Sequence, residues 1–178
     1  MIKHSFLIVI LAAVLAQGRT VLENAAAEPE VDDLIAFLRS MGAVIKREDR
    51  TIVIDGVSKL HGISYTIMPD RNEVVTFAIA SLITEGDVVV LGAQKKHLWI
   101  FLTKLSQAGG KWEEVVGGIR FYRDELIATD VTTSHHPGFM TDWQGPWTVL
   151  MTQAKGTSVI HEAVFENRFG YVEELRKM

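Results

Sequence analysis

The stretch GFMTDWQGPWTVL, residues 138–150, places one carboxylate, that of Asp142, directly before an aromatic segment. Such a carboxylate either caps the helix that follows or faces a ligand. If Asp142 were the N-cap, Pro146 would have to donate a hydrogen bond to the Asp142 carbonyl, and proline has no N–H. Proline favours the first helical position, which predicts a helix start near Gln144 or Gly145. The sequence therefore predicts that Asp142 lies in the turn before this helix. It leaves open whether the Asp142 side chain is solvated or faces a ligand.

A second polar group lies in HEAVFENRFGY, residues 161–171, and consists of Glu162, Glu166, Asn167 and Arg168. The segment follows a predicted strand, and loops on a rigid scaffold often carry ligand-binding groups. The planar Arg168 guanidinium can bind a phosphate or a carboxylate with two hydrogen bonds. The alternative is a surface ion pair between Glu166 and Arg168, which would contribute little stability. The residues by themselves favour this alternative.

Several kinds of site are excluded or disfavoured. The chain has no cysteine, which excludes disulfides, thiolate metal sites and a cysteine nucleophile within it. His135 and His136 are adjacent, and successive side chains of an extended segment point to opposite faces, so we predict no metal site. The sequence has no Walker A loop, GxGxxG or GxSxG motif. With 18 Lys and Arg against 22 Asp and Glu, we expect no nucleic-acid partner.

The 178 residues are 48% hydrophobic and 22% charged, which is typical of globular domains. The first residues, MIKHSFLIVILAAVLAQG, have the pattern of a secretory signal, with Lys3 before an apolar run from Phe6 to Leu15. The run is too short to cross a bilayer comfortably, and we expect no membrane partner. An exported protein that loses its first 16 residues is an alternative, but residues 2–17 also match the first helix of a repeated unit.

Three stretches of the chain repeat one pattern, in which Gly18, Gly86 and Gly156 occupy the same place. In each copy an apolar helix ends at that glycine, which can adopt the left-handed conformation of a C-cap. A β-branched strand follows, in TVLEN, VVVLG and SVIHE. In the first two copies a second helix comes next, in PEVDDLIAFLRSMG and KKHLWIFLTKLSQAGG, where apolar residues form one stripe.

Two strand-like pieces complete the first two copies: TIVIDG with SYTIMPD, and GIRFYRD with LIATDVTTS. The unit is helix–strand–helix–strand–strand, which predicts an α/β chain whose units bury their helix faces against neighbours. The third copy stops before its last strands, so we expect part of a longer protein or a chain that needs a partner. An incomplete unit would expose strand edges and apolar faces, which favours a homo-oligomer or aggregation.

The most specific motifs are PGFxTDxQ, which contains Asp142, and FENRF, which contains Arg168. With AAVLAQGRTVLENAAAEPEVDDLIAFLRSMGAVI, TIVIDGVSKLHGISYTIMPDR and the rest of KGTSVIHEAVFENRFGYVEELRKM, they resemble the UDP-N-acetylglucosamine (UDP-GlcNAc) enolpyruvyl transferases, the MurA family. The resemblance runs from about Leu11 to Met178. The related enolpyruvylshikimate-phosphate synthases share the fold but are not expected to carry both motifs.

The resemblance implies tandem βαβαββ units, the inverse α/β barrel of enolpyruvyl transferases, with the third unit incomplete. Residues 1–68 would be the last unit of one domain, and residues 69–178 the hinge with one and a half units of the other. It implies a cytoplasmic, cofactor-free enzyme of peptidoglycan synthesis, linked to cell shape and division. The enolpyruvyl group of phosphoenolpyruvate would move to the 3-hydroxyl of UDP-GlcNAc by addition and elimination.

The resemblance also assigns site residues. Asp142 matches the family aspartate that binds the sugar hydroxyl and is the candidate catalytic base. Val164 matches a position whose backbone meets the sugar nucleotide, and Arg168 matches a motif arginine at the active site. Gly145 and Pro146 depart from the pattern of the helix that follows the aspartate.

Other family groups have no match in these residues: the substrate-binding lysine and asparagine, the acid on a mobile loop and the arginines that hold phosphoenolpyruvate. We therefore expect a partial enzyme with no turnover by itself, and the missing segments of the same enzyme as its partners. A non-catalytic nucleotide-sugar-binding or assembly module that retains the fold is the alternative.

Overall fold

The computed structural model describes the backbone of residues 2–178 and the side chains of residues 5–178. Helices and strands alternate along the chain, which divides into two compact units, Met1–Met68 and Pro69–Met178. The mixed α/β class expected from the repeated pattern is therefore confirmed. The assignment of these units to two domains of a larger enzyme stays a prediction.

The first unit is built from two helices and a three-stranded sheet: α1 (Ile2–Ala13), β1 (Arg19–Leu22), α2 (Pro29–Ser40), β2 (Val44–Glu48) and β3 (Thr51–Asp55). The strand β3 is central and pairs antiparallel with β1 and β2. Buried side chains from both helices and from the sheet form one core, which includes Ile10, Ala13, Val14, Val31, Ile35, Leu38, Ile52 and Ile54. The first 16 residues thus contribute directly to this core.

The second unit begins with the same arrangement: α3 (Arg71–Ile83), β4 (Val88–Leu91), α4 (Lys95–Gln107), β5 (Gly110–Val115) and β6 (Gly118–Arg123). Its sheet has the order β4-β6-β5, again with the last strand in the centre and antiparallel to both neighbours. The chain continues with β7 (Val131–Thr132), α5 (Thr141–Met151), β8 (Ile160–His161) and α6 (Val172–Leu175). β7 and β8 pair in parallel.

The hairpin strands differ in part from the prediction. SYTIMPD was predicted as a strand, but residues 56–70, all described by the structure, form no helix or strand. The partner of β3 is instead β2, reached through a tight turn in which Asp49 has a φ of 48°. Likewise β5 pairs with β6 through a turn at Gly117, with a φ of 82°. Each central strand therefore already has a partner on both edges, and residues 64–70 find no free edge on β3.

The prediction that a helix ends at each of the three glycines is wrong for Gly18 and Gly156. Both have left-handed φ values, 91° and 106°, but α1 ends at Ala13 and α5 at Met151, so neither glycine caps its helix. In the second copy Glu85 takes this conformation, with a φ of 55°, and the N–H of Gly86 donates to the Ser81 carbonyl at 2.7 Å. That bond closes the end of α3 as in a Schellman motif, where the left-handed residue comes one position earlier.

The predicted start of the helix after Asp142 is wrong. α5 begins at Thr141, so Asp142 lies in its first turn and Pro146 lies inside the helix. Proline leaves the Asp142 carbonyl without its intrahelical partner. Packing outweighs this loss, because Trp143 and Trp147 are buried and both make edge-on ring contacts with Phe101 and Phe139.

Within the described residues, no helix is both long enough and apolar enough to cross a bilayer.

Candidate functional site

Two parallel strands bring the two sequence motifs together. Val131 pairs with Ile160 and Thr132 with His161, and the N–H of Thr133 donates to the His161 carbonyl at 2.8 Å. Parallel strands end at the same edge of a sheet, so the segments that follow β7 and β8 begin side by side. The first segment leads into α5, and the second carries FENRF.

Asp142 and Arg168 are in direct contact, although 26 residues separate them in the chain. Arg168 donates from Nη2 to Asp142 Oδ1 at 2.9 Å and from Nη1 to Thr141 Oγ1 at 2.7 Å. Its guanidinium carbon lies 5.1 Å from the centre of the Phe165 ring. The ion pair expected between Glu166 and Arg168 is replaced by this one, because the loop turns Arg168 toward the start of α5.

The exposure of this ion pair leaves room for a ligand. The side chain of Arg168 is 37% exposed and that of Asp142 is 33% exposed. An ion pair favours the ionised carboxylate, which can accept a hydrogen bond from a hydroxyl. The guanidinium can bind an anion at the same place. The pair therefore offers a hydroxyl acceptor and an anion donor side by side.

Glu162 is the most connected carboxylate of the site. It accepts hydrogen bonds from Thr133 Oγ1 at 2.8 Å, Thr141 Oγ1 at 2.6 Å, and the N–H groups of Val164 and Phe165 at 2.8 Å and 3.0 Å. Burial by itself would raise the pKa of Glu162, but these hydrogen bonds outweigh it and lower the pKa below its ordinary value. The carboxylate is thus held ionised between the two segments.

Val164 enters the site through its backbone. Its N–H donates to Glu162 Oε1, and its side chain is half-buried. Three positions later, Asn167 has a left-handed φ of 56°, a conformation that asparagine tolerates better than most residues. This turn reverses the chain and directs Arg168 back toward α5.

The end of the FENRF segment is anchored to α5 by Tyr171. The Tyr171 hydroxyl donates to Gln144 Oε1 at 2.8 Å and lies 2.7 Å from Thr148 Oγ1. Burial, together with the negative charge of Glu162, raises the pKa of Tyr171 despite the opposing bond from Thr148. The phenol therefore stays a neutral donor that fixes the loop on the helix.

The structure brings together the predicted Asp142 and Arg168 directly, and it links Val164 to them through Glu162. Sequence reasoning missed Thr133 and Thr141. Threonines beside a strand end and a helix start are common, and the only available signal was that Thr141 precedes Asp142 within a specific motif. Among the described residues no group of three or more His, Asp or Glu side chains is placed to hold a metal ion.

Comparison with known proteins gives a consistent family. The family model described as EPSP synthase (3-phosphoshikimate 1-carboxyvinyltransferase) matches residues 5–178. Relatives named UDP-N-acetylglucosamine 1-carboxyvinyltransferase are 45% identical in Protochlamydia amoebophila and 46% identical in Magnetococcus marinus, each over 172 residues. These alignments cover 95% of this chain but 37% and 41% of the relatives. The chain thus spans about two fifths of their length.

Solved structures agree with this grouping. The enolpyruvyl transferase NikO from Streptomyces tendae has a TM-score of 0.82 at 27% identity, over 94% of this chain and 41% of NikO. EPSP synthase from Acinetobacter baumannii, at 21% identity, has a TM-score of 0.57 over 94% of this chain and 40% of its own length, and supports the fold only. The predicted enolpyruvyl transferase fold and the resemblance to that group of enzymes are confirmed.

Proposed function

The chain belongs to the EPSP synthase (3-phosphoshikimate 1-carboxyvinyltransferase) family, and on that premise we propose that it is part of a UDP-N-acetylglucosamine 1-carboxyvinyltransferase. The choice of UDP-GlcNAc as the acceptor is supported by the names of the relatives at 45% and 46% identity. The observation that carries the proposal is the contact between Asp142 and Arg168, which joins the two motifs into one partly exposed polar group.

The proposed reaction has two stages. The 3-hydroxyl oxygen of the sugar attacks C2 of phosphoenolpyruvate while C3 takes up a proton, and the hydroxyl loses its proton to a base. C3 then gives up a proton and the C2–O bond to phosphate breaks, which restores the double bond and releases phosphate. Asp142 is proposed as the base or orienting carboxylate for the 3-hydroxyl, since an ionised carboxylate in hydrogen-bond reach can do either.

Arg168 and Val164 are proposed to bind the nucleotide sugar. Among the described side chains, Arg168 contacts one carboxylate and uses its other outer nitrogen on a neutral hydroxyl, so an anionic ligand oxygen can replace that hydroxyl. Val164 is proposed to meet the sugar nucleotide through its backbone, close to the Glu162 carboxylate that holds its N–H.

The wider role rests on the resemblance. The reaction would be the first committed step of peptidoglycan synthesis in the cytoplasm, and so would serve cell shape and division. We expect no turnover from these 178 residues by themselves, because groups from both sides of a cleft are needed to position the substrates. Other segments of the same enzyme are the expected partners, and a homo-oligomer through exposed edges stays a prediction.

A non-catalytic nucleotide-sugar-binding or assembly module remains the second candidate. The observation that favours it is the ion pair itself, because a carboxylate that already accepts a hydrogen bond from Arg168 can serve to hold two segments together. This candidate predicts weak UDP-GlcNAc binding that does not depend on the charge of Asp142.

Calorimetric titration with UDP-GlcNAc separates these candidates, using the wild-type chain and Asp142→Asn. Asparagine keeps an oxygen for Arg168 but loses the charge, and we expect about tenfold weaker binding, as for one charge-assisted hydrogen bond. The matched control is Asp124→Asn, which removes a carboxylate from the exposed ion pair with Lys111 and should leave affinity unchanged. Equal affinity of Asp142→Asn and wild type would favour the binding module, and no binding at millimolar ligand would contradict a formed site.

A further inference from the structure

Glu162 lies where three segments meet, and none of the proposed chemical steps uses it. It accepts one hydrogen bond from the residue after β7 (Thr133), one from the first residue of α5 (Thr141), and two from the loop after β8 (Val164 and Phe165). Thr133 is fully buried and in turn accepts a bond from the N–H of Ala163 at 2.9 Å. The carboxylate is therefore fixed on all sides.

The hydroxyl of Thr141 transmits the effect of Glu162 to Arg168. A hydroxyl has one proton to donate and lone pairs that accept. Thr141 Oγ1 donates to Glu162 Oε2 at 2.6 Å and accepts from Arg168 Nη1 at 2.7 Å, since a guanidinium carries only donors. The Glu162 carboxylate thus holds the Thr141 proton on its own side, which leaves a lone pair of the hydroxyl facing Arg168, and its negative charge strengthens both bonds.

The hydrogen bonds that link Glu162, Thr141 and Arg168 decide where the guanidinium points. With Nη1 held by Thr141, Nη2 reaches Asp142 Oδ1 at 2.9 Å. A neutral amide at position 162 would present an N–H₂ group either to Thr141 or to the N–H groups of Val164 and Phe165. In the first case Thr141 becomes the acceptor of the amide, and in the second the loop loses its acceptor.

We propose that Glu162 is a positioning residue, which accepts the proton of the Thr141 hydroxyl and so orients its lone pair toward Arg168, aligning Arg168 and the Val164 backbone for the nucleotide sugar. The ligand named in this inference rests on the proposed function, whereas the arrangement of Glu162, Thr141 and Arg168 does not depend on it. It assigns to Glu162 a role in affinity that acts through Thr141 and Arg168, distinct from contact with the substrate.

The first test is UDP-GlcNAc affinity in Glu162→Gln, with Glu166→Gln as the matched control. Both substitutions remove one charge from the same loop, and Glu166 is exposed. We expect about tenfold weaker binding for Glu162→Gln and no change for Glu166→Gln. Equal affinities for the two variants would overturn the inference.

The second test separates positioning from general stability. Thr141→Val removes the hydroxyl that links Glu162 to Arg168 but leaves the two backbone bonds to Glu162, and Thr141→Ser keeps the hydroxyl. We expect Thr141→Val to weaken binding about tenfold, Thr141→Ser to restore it, and Glu162→Gln to add little in the Thr141→Val background. Additive losses would mean that Glu162 does not act through Thr141, and would overturn the inference even if Glu162→Gln folds poorly.

A ligand-free measurement distinguishes failure of this inference from failure of the proposed function. The guanidinium nitrogen signals of Arg168 are recorded by NMR without ligand. If wild type binds no UDP-GlcNAc, the proposed function fails, but the Arg168 signals should still move in Glu162→Gln and Thr141→Val and stay in place in Glu166→Gln. Arg168 signals that do not move in the first two variants would overturn the inference whether or not the ligand binds.

Discussion

Among the arginines of the second unit that bind carboxylates, Arg120 and Arg168 differ in their partners and in the elements that carry them. Arg120 lies on β6 and donates to both oxygens of Asp87 and to Glu113, its cross-strand neighbour on β5. Its guanidinium carbon also lies 4.8 Å from the centre of the Tyr122 ring. Its hydrogen bonds to the Asp87 and Glu113 carboxylates raise the pKa of Arg120 above its already high ordinary value.

Arg168 differs from Arg120 in the groups that it contacts and in the element that carries it. It contacts one carboxylate, Asp142, and one neutral hydroxyl, that of Thr141, and it lies on a loop and not in a strand ladder. A ligand oxygen can replace a neutral hydroxyl without leaving an unpaired charge, whereas a ligand for Arg120 would have to displace a carboxylate. An arginine that is available to a ligand is therefore distinguished by having a neutral hydrogen-bond partner, more than by the number of hydrogen bonds that it donates.

The largest expected effect is on ligand affinity. Arg168→Ala should weaken UDP-GlcNAc binding by about 10- to 100-fold, because it removes a charge-assisted donor from an anionic ligand. Arg120→Ala is the matched control and should bind like wild type. Calorimetric titration of both variants checks this, and a loss of affinity in Arg120→Ala would break the distinction between the two arginines.

The next effect is on the helix that carries Asp142. Pro146→Ala restores the N–H that the Asp142 carbonyl lacks, and we expect the free energy of unfolding to rise by about 1 kcal/mol, less than the full cost of a proline inside a helix. Chemical denaturation measures this. A lower free energy of unfolding would mean that packing of the proline ring matters more than the missing hydrogen bond.

A smaller effect on stability is expected when Arg120, the arginine on β6, is replaced. Arg120→Ala should lower the free energy of unfolding only slightly, because its ion pairs are exposed to solvent. Raising the salt concentration should reduce the difference from wild type, since exposed pairs are screened. A difference that does not depend on salt would indicate that Arg120 stabilises through packing on Tyr122 and not through charge.

The smallest effect is a dependence of stability on pH. Burial opposes ionisation of Glu162, but hydrogen bonds from Thr141, Thr133 and two backbone N–H groups lower its pKa below the ordinary 4.5. A lowered folded-state pKa contributes stability above the unfolded value, and this contribution is lost as pH falls through the folded value. Wild type should therefore be more stable than Glu162→Gln at neutral pH, with a difference that shrinks below pH 4.5, measured by thermal unfolding. A difference that stays constant across this range would contradict the ionised state of Glu162.

Much of the fold could be predicted from local patterns. The β-branched runs TVLEN and VVVLG overlap β1 and β4, and the apolar stripes in PEVDDLIAFLRSMG and KKHLWIFLTKLSQAGG give α2 and α4. The strand predicted at residues 64–70 is wrong because β1 and β2 already occupy both edges of β3. The start of α5 failed because burial of Trp143 and Trp147 outweighs the preference of proline for a first turn.

The candidate site was less accessible to sequence reasoning. The contact between Asp142 and Arg168 depends on the parallel pairing of β7 and β8. The segments LIATDVTTS and SVIHE were predicted as strands and contain β7 and β8, but no local pattern predicts that these two strands pair. The resemblance to a known family selected both residues without showing that they touch. Glu162 was one polar residue among several in its segment, and only the positions of its four donors set it apart.

The most direct test of the account is an NMR titration with UDP-GlcNAc that follows the Val164 amide and the side-chain Nε signals of Arg168 and Arg120. We expect the Val164 and Arg168 signals to shift as ligand is added, and the Arg120 signal to stay in place as an internal control. Shifts at Arg120 but not at Arg168, or no shift at either at millimolar ligand, would contradict the claim that the loop arginine beside Asp142 forms a nucleotide-sugar site.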